Sequence, residues 1–386
     1  MNRKLRMGMI GGGIGAFIGN VHRIAAQMDG KIELVCGAFS STPEKSKESG
    51  KQLLLPNNRV YGSYKEMFQK EAKLPADQRM DFVTIVTPNN VHYDAAMSAL
   101  SAGFHVVCDK PMTMTLAEAK RLQTKVKQTK QLFCLTHNYT GYPMVKEARS
   151  LVRGGQMGRV RKVVVEYPQG WLADRIERNN RQKQAIWRTD PKKAGSSCCM
   201  GDIGSHCENL AEYVTGLNIS ELCSDLTTFV KGRILDDDGS VLLRMQGGAK
   251  GILWASQIAV GQENSLNIRV YCEKGTIEWH QEEPNTLIVR WAHKAPEMRR
   301  TSTAFVGKAA TNNVRTPAGH PEGFLEAFGN IYKAFAQTLE KKLNGKKVDE
   351  SKADYPTVTS GVRGMAFLEA VVKSNTSKNK WVRVSK

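Results

Sequence analysis

Residues Leu5 to Gly19, LRMGMIGGGIGAFIG, constrain this chain more than any other stretch. A short apolar run from Met7 to Ile10 ends in consecutive glycines, and Ile14 to Met28 then follow with helix-like spacing of apolar side chains. Strand, glycine turn and helix in that order bring backbone N–H groups and a helix N-terminus to one point, an arrangement suited to a pyrophosphate. The glycines fit GxGxxA at Gly11, Gly13 and Ala16, with Gly15 as an extra. In that reading Gly11 permits a tight turn, Gly13 lets a phosphate approach the backbone, and Ala16 allows close helix–strand contact. Ile14, Phe17 and Ile18 complete the candidate dinucleotide-binding turn. Glycine clusters also end strands in proteins that bind nothing, so the pattern alone leaves a bare strand end open.

A chain of 386 residues has room for one large or two ordinary domains, and its 41% hydrophobic and 24% charged content is that of a soluble globular protein. No apolar run approaches the roughly 20 residues that span a bilayer, and no signal core follows Arg3, Lys4 and Arg6, so a cytoplasmic location is expected. The eight cysteines form no CxxC pair, which reads as reduced, mostly buried side chains. The net charge of +19 raises nucleic acid or an anionic surface as partners. The basic residues are scattered, and the runs at Lys341-Lys342, Lys346-Lys347 and Lys378 to Lys380 lack interleaved aromatics. A solvated basic surface explains them better, and neither nucleic acid nor membrane is expected as a partner.

Lys31 to Ser40 reads as a second strand whose end should reach an adenosine ribose. NAD sites usually place an acid there; this chain has Ser40, Ser41 and Thr42, with Lys45 a turn later. Hydroxyls and a lysine suit the 2′-phosphate of NADP and also tolerate NAD, so both cofactors stay open. Thr42-Pro43-Glu44 reads equally as a helix start. Asp81 to Thr87 is a buried strand broken by Pro88, with Asn89 and His92 just beyond. A helix from about Val91 to Ala102 leads to a strand at Phe104 to Cys108, then Asp109, Lys110 and Pro111. Thr115 to Glu118 is a capping box, and Leu132 to Thr136 is one more strand, followed by His137, Asn138 and Tyr139. Strands alternating with helices predict a doubly wound parallel sheet, with Thr87, Pro88, Asn89, His92, Asp109, Lys110 and Asn138 on its ligand-binding edge.

The second half changes character. Arg159 to Trp171 reads as a strand entering a loop, and a polar stretch ends at Trp187-Arg188. Small residues from Gly195 lead into a helix through Val214. Short strands then follow at Val241 to Met245, Lys250 to Gln257, Leu266 to Cys272, Thr276 to Trp279 and Leu287 to Trp291, an antiparallel pattern with a hairpin at Gly247-Gly248. A looser segment, about Ala295 to Ala318, precedes helices from Gly323 to Leu343 and Val358 to Lys373. The aromatics Phe324, Phe328, Tyr332 and Phe335 on the first of these read as core.

Lys110, between an acid and a proline at a strand end, is a solvated loop charge or, beside a nicotinamide, a group that hydrogen-bonds a substrate oxygen. Asp202 and His206 are one helical turn apart, and a carboxylate beside an imidazole orients the ring and favours its charged form. Trp187 and Arg188 anchor near the cofactor or make a surface contact. Cys198, Cys199, His206 and Cys207 match no usual zinc spacing, so no metal is expected.

GGGIGAFIG, TPNNVH, CDKP, the Trp-Arg pair and GDIGSHCEN occur together in an order that resembles the Gfo/Idh/MocA oxidoreductases. The resemblance spans nearly the whole chain. It implies an N-terminal Rossmann domain, 1-140, and a C-terminal α+β domain, 141-386, on an open, mainly antiparallel sheet, with C-terminal helices packing back on the first domain. In relatives that sheet often joins subunits, so a homodimer or homotetramer is expected. The family usually has EKP where this chain has Asp109-Lys110-Pro111, and the catalytic lysine carries over to Lys110. Its Asp-x-x-x-His falls on Asp202 and His206, and a third acid is replaced by Asn209.

The mechanism so implied is NAD- or NADP-dependent oxidation of a secondary sugar hydroxyl: His206 takes the proton, Asp202 orients it, and Lys110 hydrogen-bonds the oxygen. Gln169-Gly170-Trp171 and Gly319 to Gly323 are similar to enzymes that oxidise glycosides at C3. There Trp171 would stack on a sugar while His137, Tyr139 and His320 bind its hydroxyls. Inositol dehydrogenase, dihydrodiol or biliverdin-type reduction, and a non-catalytic sensor of dinucleotide or sugar are the competing readings.

Overall fold

The structure is a computed structural model that describes residues 3–179 and 182–385. It divides into two compact units, Met1–Asn138 with Phe328–Val362, and Tyr139–Ala327 with Arg363–Lys386. In chain order the first stretch runs β1 (Leu5–Gly11), α1 (Phe17–Gln27), β2 (Ile32–Ala38), α2 (Pro43–Gln52), α3 (Tyr64–Glu71), β3 (Phe82–Val86), α4 (Asn89–Ser101), β4 (His105–Cys108), α5 (Leu116–Thr129) and β5 (Phe133–Leu135). The five strands make a parallel sheet in the order β2-β1-β3-β4-β5. A one-residue bridge between Gly37 and Val60 extends it beyond β2. Every residue of β3 and β4 is buried, as expected for strands covered on both faces. Helix α5 starts on the predicted capping box of Thr115 and Glu118.

The first helix differs from expectation. It begins at Phe17 rather than Ile14, because Gly15 has φ +78° and Ala16 is extended, conformations that a helix excludes. A close contact seats this helix on the turn. It lies between Gly12 and Gly19: a Cβ on Gly19 would come within 2.3 Å of the Gly12 Cα.

The second stretch contains α6 (Pro143–Arg153), β6 (Val160–Pro168), α7 (Lys183–Arg188), α8 (Pro191–Ala194), α9 (Ser205–Thr215), β7 (Ile219–Thr227), β8 (Asp238–Met245), β9 (Lys250–Ser256), β10 (Asn267–Cys272), β11 (Gly275–His280), β12 (Thr286–Trp291), β13 (Lys294–Arg300) and α10 (Lys308–Thr311). Then come α11 (Phe324–Leu343), α12 (Val358–Thr376) and β14 (Val382–Arg383). The nine strands form one sheet, β13-β12-β11-β10-β6-β9-β8-β7-β14, antiparallel except for β6 beside β9. Gly247 and Gly248, both with positive φ, make the β8–β9 turn. One face buries Val163, Val165, Leu253, Ile268, Val270 and Trp279 beneath α6 and α9. The other carries Val164, Ile252 and Ile288 with Leu242 and Tyr271, the last two 49% and 38% exposed.

Three strands escaped the sequence reading, among them the two-residue edge strand β14. The segment expected to be loose contains β13, an edge strand reading KAPEMRR with no buried position. In β7 a register shift between Ile219 and Glu221 interrupts the alternation that would have announced it. Among the described residues no helix is long and apolar enough to cross a membrane. All eight cysteines are unbridged, and only Cys223 is partly exposed.

Candidate active site

In the first unit, Gly11 pairs with Val86, Ile85 with Cys108, and Cys108 with Leu135, so the loops after β1, β3, β4 and β5 leave the sheet at one edge. The strand order reverses between β1 and β3, where ligands bind in open parallel sheets. Gly11 and Gly12 have φ of +78° and +69°, and Arg23 Nη1 donates to the Gly12 carbonyl at 2.6 Å. Helix α1 has neither a side-chain cap nor an acid in its first turn, which suits its positive end to an anion. At Gly13 there is no room for a side chain: a Cβ there would come within 2.6 Å of Ser49 Oγ and 2.9 Å of the Phe39 carbonyl. Ile14 and Phe17 are exposed, with Ile18 half-buried.

At the end of β2, Ser40 Oγ accepts from the Thr42 N–H at 3.2 Å, while Ser41 and Lys45 are exposed. Beyond β3, Pro88 precedes α4, whose first residue Asn89 is buried. His92, expected at the cofactor, is buried at the same edge. One turn into α4, its ring nitrogens each lie 2.8 Å from a backbone carbonyl, Nδ1 from Pro111 and Nε2 from Thr87, so it ties two loops together.

Around Lys110, Asp109 Oδ1 accepts from the Lys110 backbone N–H at 2.8 Å and from Thr136 Oγ1 at 3.1 Å. Its other oxygen lies 4.0 Å from Nε2 of His22, whose Nδ1 is 2.7 Å from the Tyr332 hydroxyl. Burial lowers His22 to a pKa of about 4, with Asp109 opposing. His137 is lowered to about 3, by burial and then by the charge of Lys110. Both rings are therefore neutral at pH 7. Thr87 Oγ1 and Asn138 Nδ2 are buried without a hydrogen-bond partner, and with the glycine turn they fit the polar groups of a dinucleotide.

The second unit holds Asp202 and His206. Asp202 sits in a π-helical turn, Met200–Gly204, that runs into α9. Such turns recur at functional sites. Asp236 anchors the turn, accepting from Ser197 Oγ at 2.9 Å, the Cys198 N–H at 3.0 Å and the Met200 N–H at 2.9 Å. Asp202 Oδ2 accepts from Arg188 Nε at 2.8 Å and Gln257 Nε2 at 3.0 Å. Arg188, expected at the cofactor, is thus engaged with Asp202. Its Nη1 also donates to Gln184 Oε1 at 2.6 Å, and its guanidinium lies 4.2 Å from the Trp187 ring centroid and 5.8 Å from that of Trp171.

His206 is buried, and the Tyr139 ring meets it edge-on with centroids 4.7 Å apart. Tyr139, expected to bind the sugar's hydroxyls, has its own hydroxyl bonded to Tyr167 and Asn264. Burial forced this pairing. Trp171 is 36% exposed, its Nε1 donating to Gln169 Oε1 at 3.0 Å. His320 is exposed on a loop pinned by buried Glu322, which accepts from the Thr316 N–H at 2.7 Å. Buried Asn209 has an Oδ1 without a partner. Burial pushes the Cys198 and Cys207 thiols up, and among the described residues no cluster of three metal-ligating side chains forms.

Residues 5–137 match the model of the oxidoreductase family with an NAD-binding Rossmann fold, and residues 145–278 match the GFO/IDH/MocA C-terminal domain. The chain is 31% identical to the uncharacterized oxidoreductase YfiI of Bacillus subtilis over 99% of its own length and 97% of that protein's. It is 25% identical to levoglucosan dehydrogenase of Pseudarthrobacter phenanthrenivorans, covering 99% and 98%. An inositol dehydrogenase homolog from Azotobacter vinelandii, solved with NAD+, superposes with a TM-score of 0.94 at 32% identity, covering 99% and 98%. With its NAD-binding Rossmann domain and its open sheet, the chain belongs to the GFO/IDH/MocA family of oxidoreductases.

Proposed function

We propose that this protein oxidises a secondary hydroxyl of a sugar or glycoside, at C3 of the ring, with NAD or NADP as oxidant. The observation that carries the reading is the Asp202 carboxylate, held by Arg188 and Gln257 one helical turn before a buried His206. The glycine turn at Gly11 and Gly12, with Thr87 and Asn138, would hold the dinucleotide, whose nicotinamide would supply the hydride acceptor for the carbinol carbon. His206 takes the hydroxyl proton, a role worth about 10²–10⁴-fold in rate. Asp202 keeps the imidazole oriented and stabilises it once charged, and Lys110 hydrogen-bonds the reacting oxygen. Trp171 offers an indole face to the sugar, with His137 and His320 as hydroxyl contacts. A keto group at C3 would acidify the neighbouring C–H and open the way to elimination of the glycosidic group.

The levoglucosan dehydrogenase relative favours a sugar; the inositol dehydrogenase homolog favours a polyol. A panel of methyl glucosides, levoglucosan, glucose, xylose and myo-inositol, assayed for dinucleotide reduction at 340 nm, decides between them. It is run with NAD+ and NADP+ because Ser40, Ser41 and Lys45 offer no carboxylate to exclude either. Oxidation of glucosides to 3-keto products is expected, and activity on inositol alone would remove the sugar reading. We also propose a cytoplasmic homodimer or homotetramer joined through the exposed sheet face that bears Leu242, Ile252 and Tyr271.

A further inference from the structure

Asn264 precedes β10 and uses the whole hydrogen-bonding capacity of its side chain inside the second unit. Its Oδ1 accepts from the Tyr167 hydroxyl at 2.7 Å and from Gln169 Nε2 at 2.6 Å. Its Nδ2 donates to the Tyr139 hydroxyl and to Gln281 Oε1, both at 3.2 Å. The partners fix which way the amide points, since a reversed group would set its NH2 against that of Gln169. The two tyrosine hydroxyls are also bonded to each other.

This network has two ends of chemical interest. At one, the rings of Tyr139 and Tyr167 stand 4.7 Å and 6.1 Å from that of His206, at 81° and 58°. Both tyrosines are buried, and burial raises Tyr139 to a pKa of about 12, so the walls around the imidazole are uncharged. At the other end Gln169 accepts from the indole N–H of Trp171, the partly exposed aromatic proposed to face the sugar. Fully satisfied buried networks rigidify their surroundings.

We propose that Asn264 is a positioning residue: one amide locks the tyrosine walls against His206 and, through Gln169, ties Trp171 to the same frame. The imidazole and the indole are thereby held at a set separation, which selects sugars whose reacting hydroxyl lies at the matching distance from their stacking face. The inference rests on the role proposed for His206. Misplacing a reacting group by 1 Å can cost about 10²-fold, so the frame carries a kinetic consequence beyond stability.

The test uses Asn264→Leu, similar in branching but without hydrogen bonds, and Gln169→Met, which removes both bonds of Gln169 and so uncouples Trp171 from Asn264 while leaving Asn264 its bonds to the two tyrosines. Histidine labelled with 13C at Cε1 gives one signal per ring, and His206 is identified by its loss in His206→Ala. In Asn264→Leu the His206 signal is expected to move, as the ring current of Tyr139 shifts, and kcat for methyl β-D-glucopyranoside to fall about tenfold or more with KM for NAD+ unchanged. In Gln169→Met the KM for the glucoside should rise by a larger factor than kcat falls. A His206 signal at its wild-type position in Asn264→Leu, or kcat within twofold, overturns the proposal. If circular dichroism shows that this variant does not fold, Tyr167→Phe replaces it, with the same displaced signal expected and an unmoved signal overturning the frame. Wild-type turnover in His206→Ala would instead remove the base, while the His206 signal in Asn264→Leu still decides whether the frame exists.

Discussion

Lys110 and His206 lie in different units, so each is best judged by what its own surroundings make of it. Lys110 has its backbone N–H fixed by Asp109, and His206 is walled by aromatic rings in a buried site. Lys110→Ala and His206→Ala should each keep the fold and bind NADH, read by fluorescence titration, yet lose about 10²–10⁴-fold in kcat. Near-wild-type turnover in either would take that residue out of the mechanism. Arg188 separates two roles. If it serves Asp202, Arg188→Leu should lower kcat at least tenfold at constant NADH affinity. A weakened NADH affinity with kcat intact would return it to the cofactor role first assigned. Arg188→Lys should rescue little, because an ammonium cannot bond Asp202 and Gln184 with the same planar fork. The residues legible in the sequence were those with local signatures: a lysine at a strand end, and an acid and histidine one turn apart. The supporting groups were not, because their partners are remote: Gln257 is 55 residues from Asp202, Asn264 is 125 from Tyr139, and Tyr332 is 310 from His22. No periodicity encodes a hydrogen bond of that separation.

The strands of the parallel sheet stood out because both faces are covered, whereas the helices α3 and α6 were not read from the sequence although both carry buried side chains. The strands that remained hidden were the exposed edge strand β13, the register-shifted β7 and the two-residue β14. The glycine turn shows how an element can be found while one of its contacts is missed. The contact that seats α1 on β1 is Gly12 against Gly19, two residues outside the motif positions. In an exposed helix interior, alanine is better than glycine by about 1 kcal/mol. At Gly19 the added Cβ would lie 2.3 Å from a backbone atom and 2.5 Å from the Gly12 carbonyl oxygen, so the clash decides the sign. Gly19→Ala should therefore lower Tm and weaken NADH binding at least tenfold, while Gly30→Ala, where a Cβ meets nothing within 4 Å, should leave NADH affinity unchanged. Equal NADH affinity in Gly19→Ala and wild type would show that the turn tolerates the shift.

For the whole chain, the change from alternating strands and helices to successive strands set the expected boundary near residue 140. The return of Phe328–Val362 to the first unit, expected from the resemblance and not from any periodicity, rests on contacts such as Tyr332 with His22 and Thr84, and Pro356 with Leu135. That unit also gathers His22, His105 and His137, all held below their ordinary pKa mainly by burial, at about 4, 4 and 3. Their common direction fixes how stability depends on pH. The unfolded chain takes up protons near pH 6.5, whereas these folded rings stay neutral until about pH 4 or below. Between those values the unfolded state binds more protons, so stability is complete above pH 6.5 and declines as the pH falls. Each histidine contributes a slope of up to about 1.4 kcal/mol per pH unit within that window. Acid also adds to a net charge that is already +19, which acts in the same direction. Thermal melts should thus fall steadily from pH 7 to pH 5. His105 isolates the cause, since it lies at the start of β4, away from the loops of the site, and its Nδ1 accepts from the Leu132 N–H at 2.8 Å. His105→Asn keeps an acceptor there without a titrating group, and its melting temperature should fall less steeply over the same range. A wild-type slope in His105→Asn, or melts independent of pH between 7 and 5, would show that the buried rings do not govern acid stability.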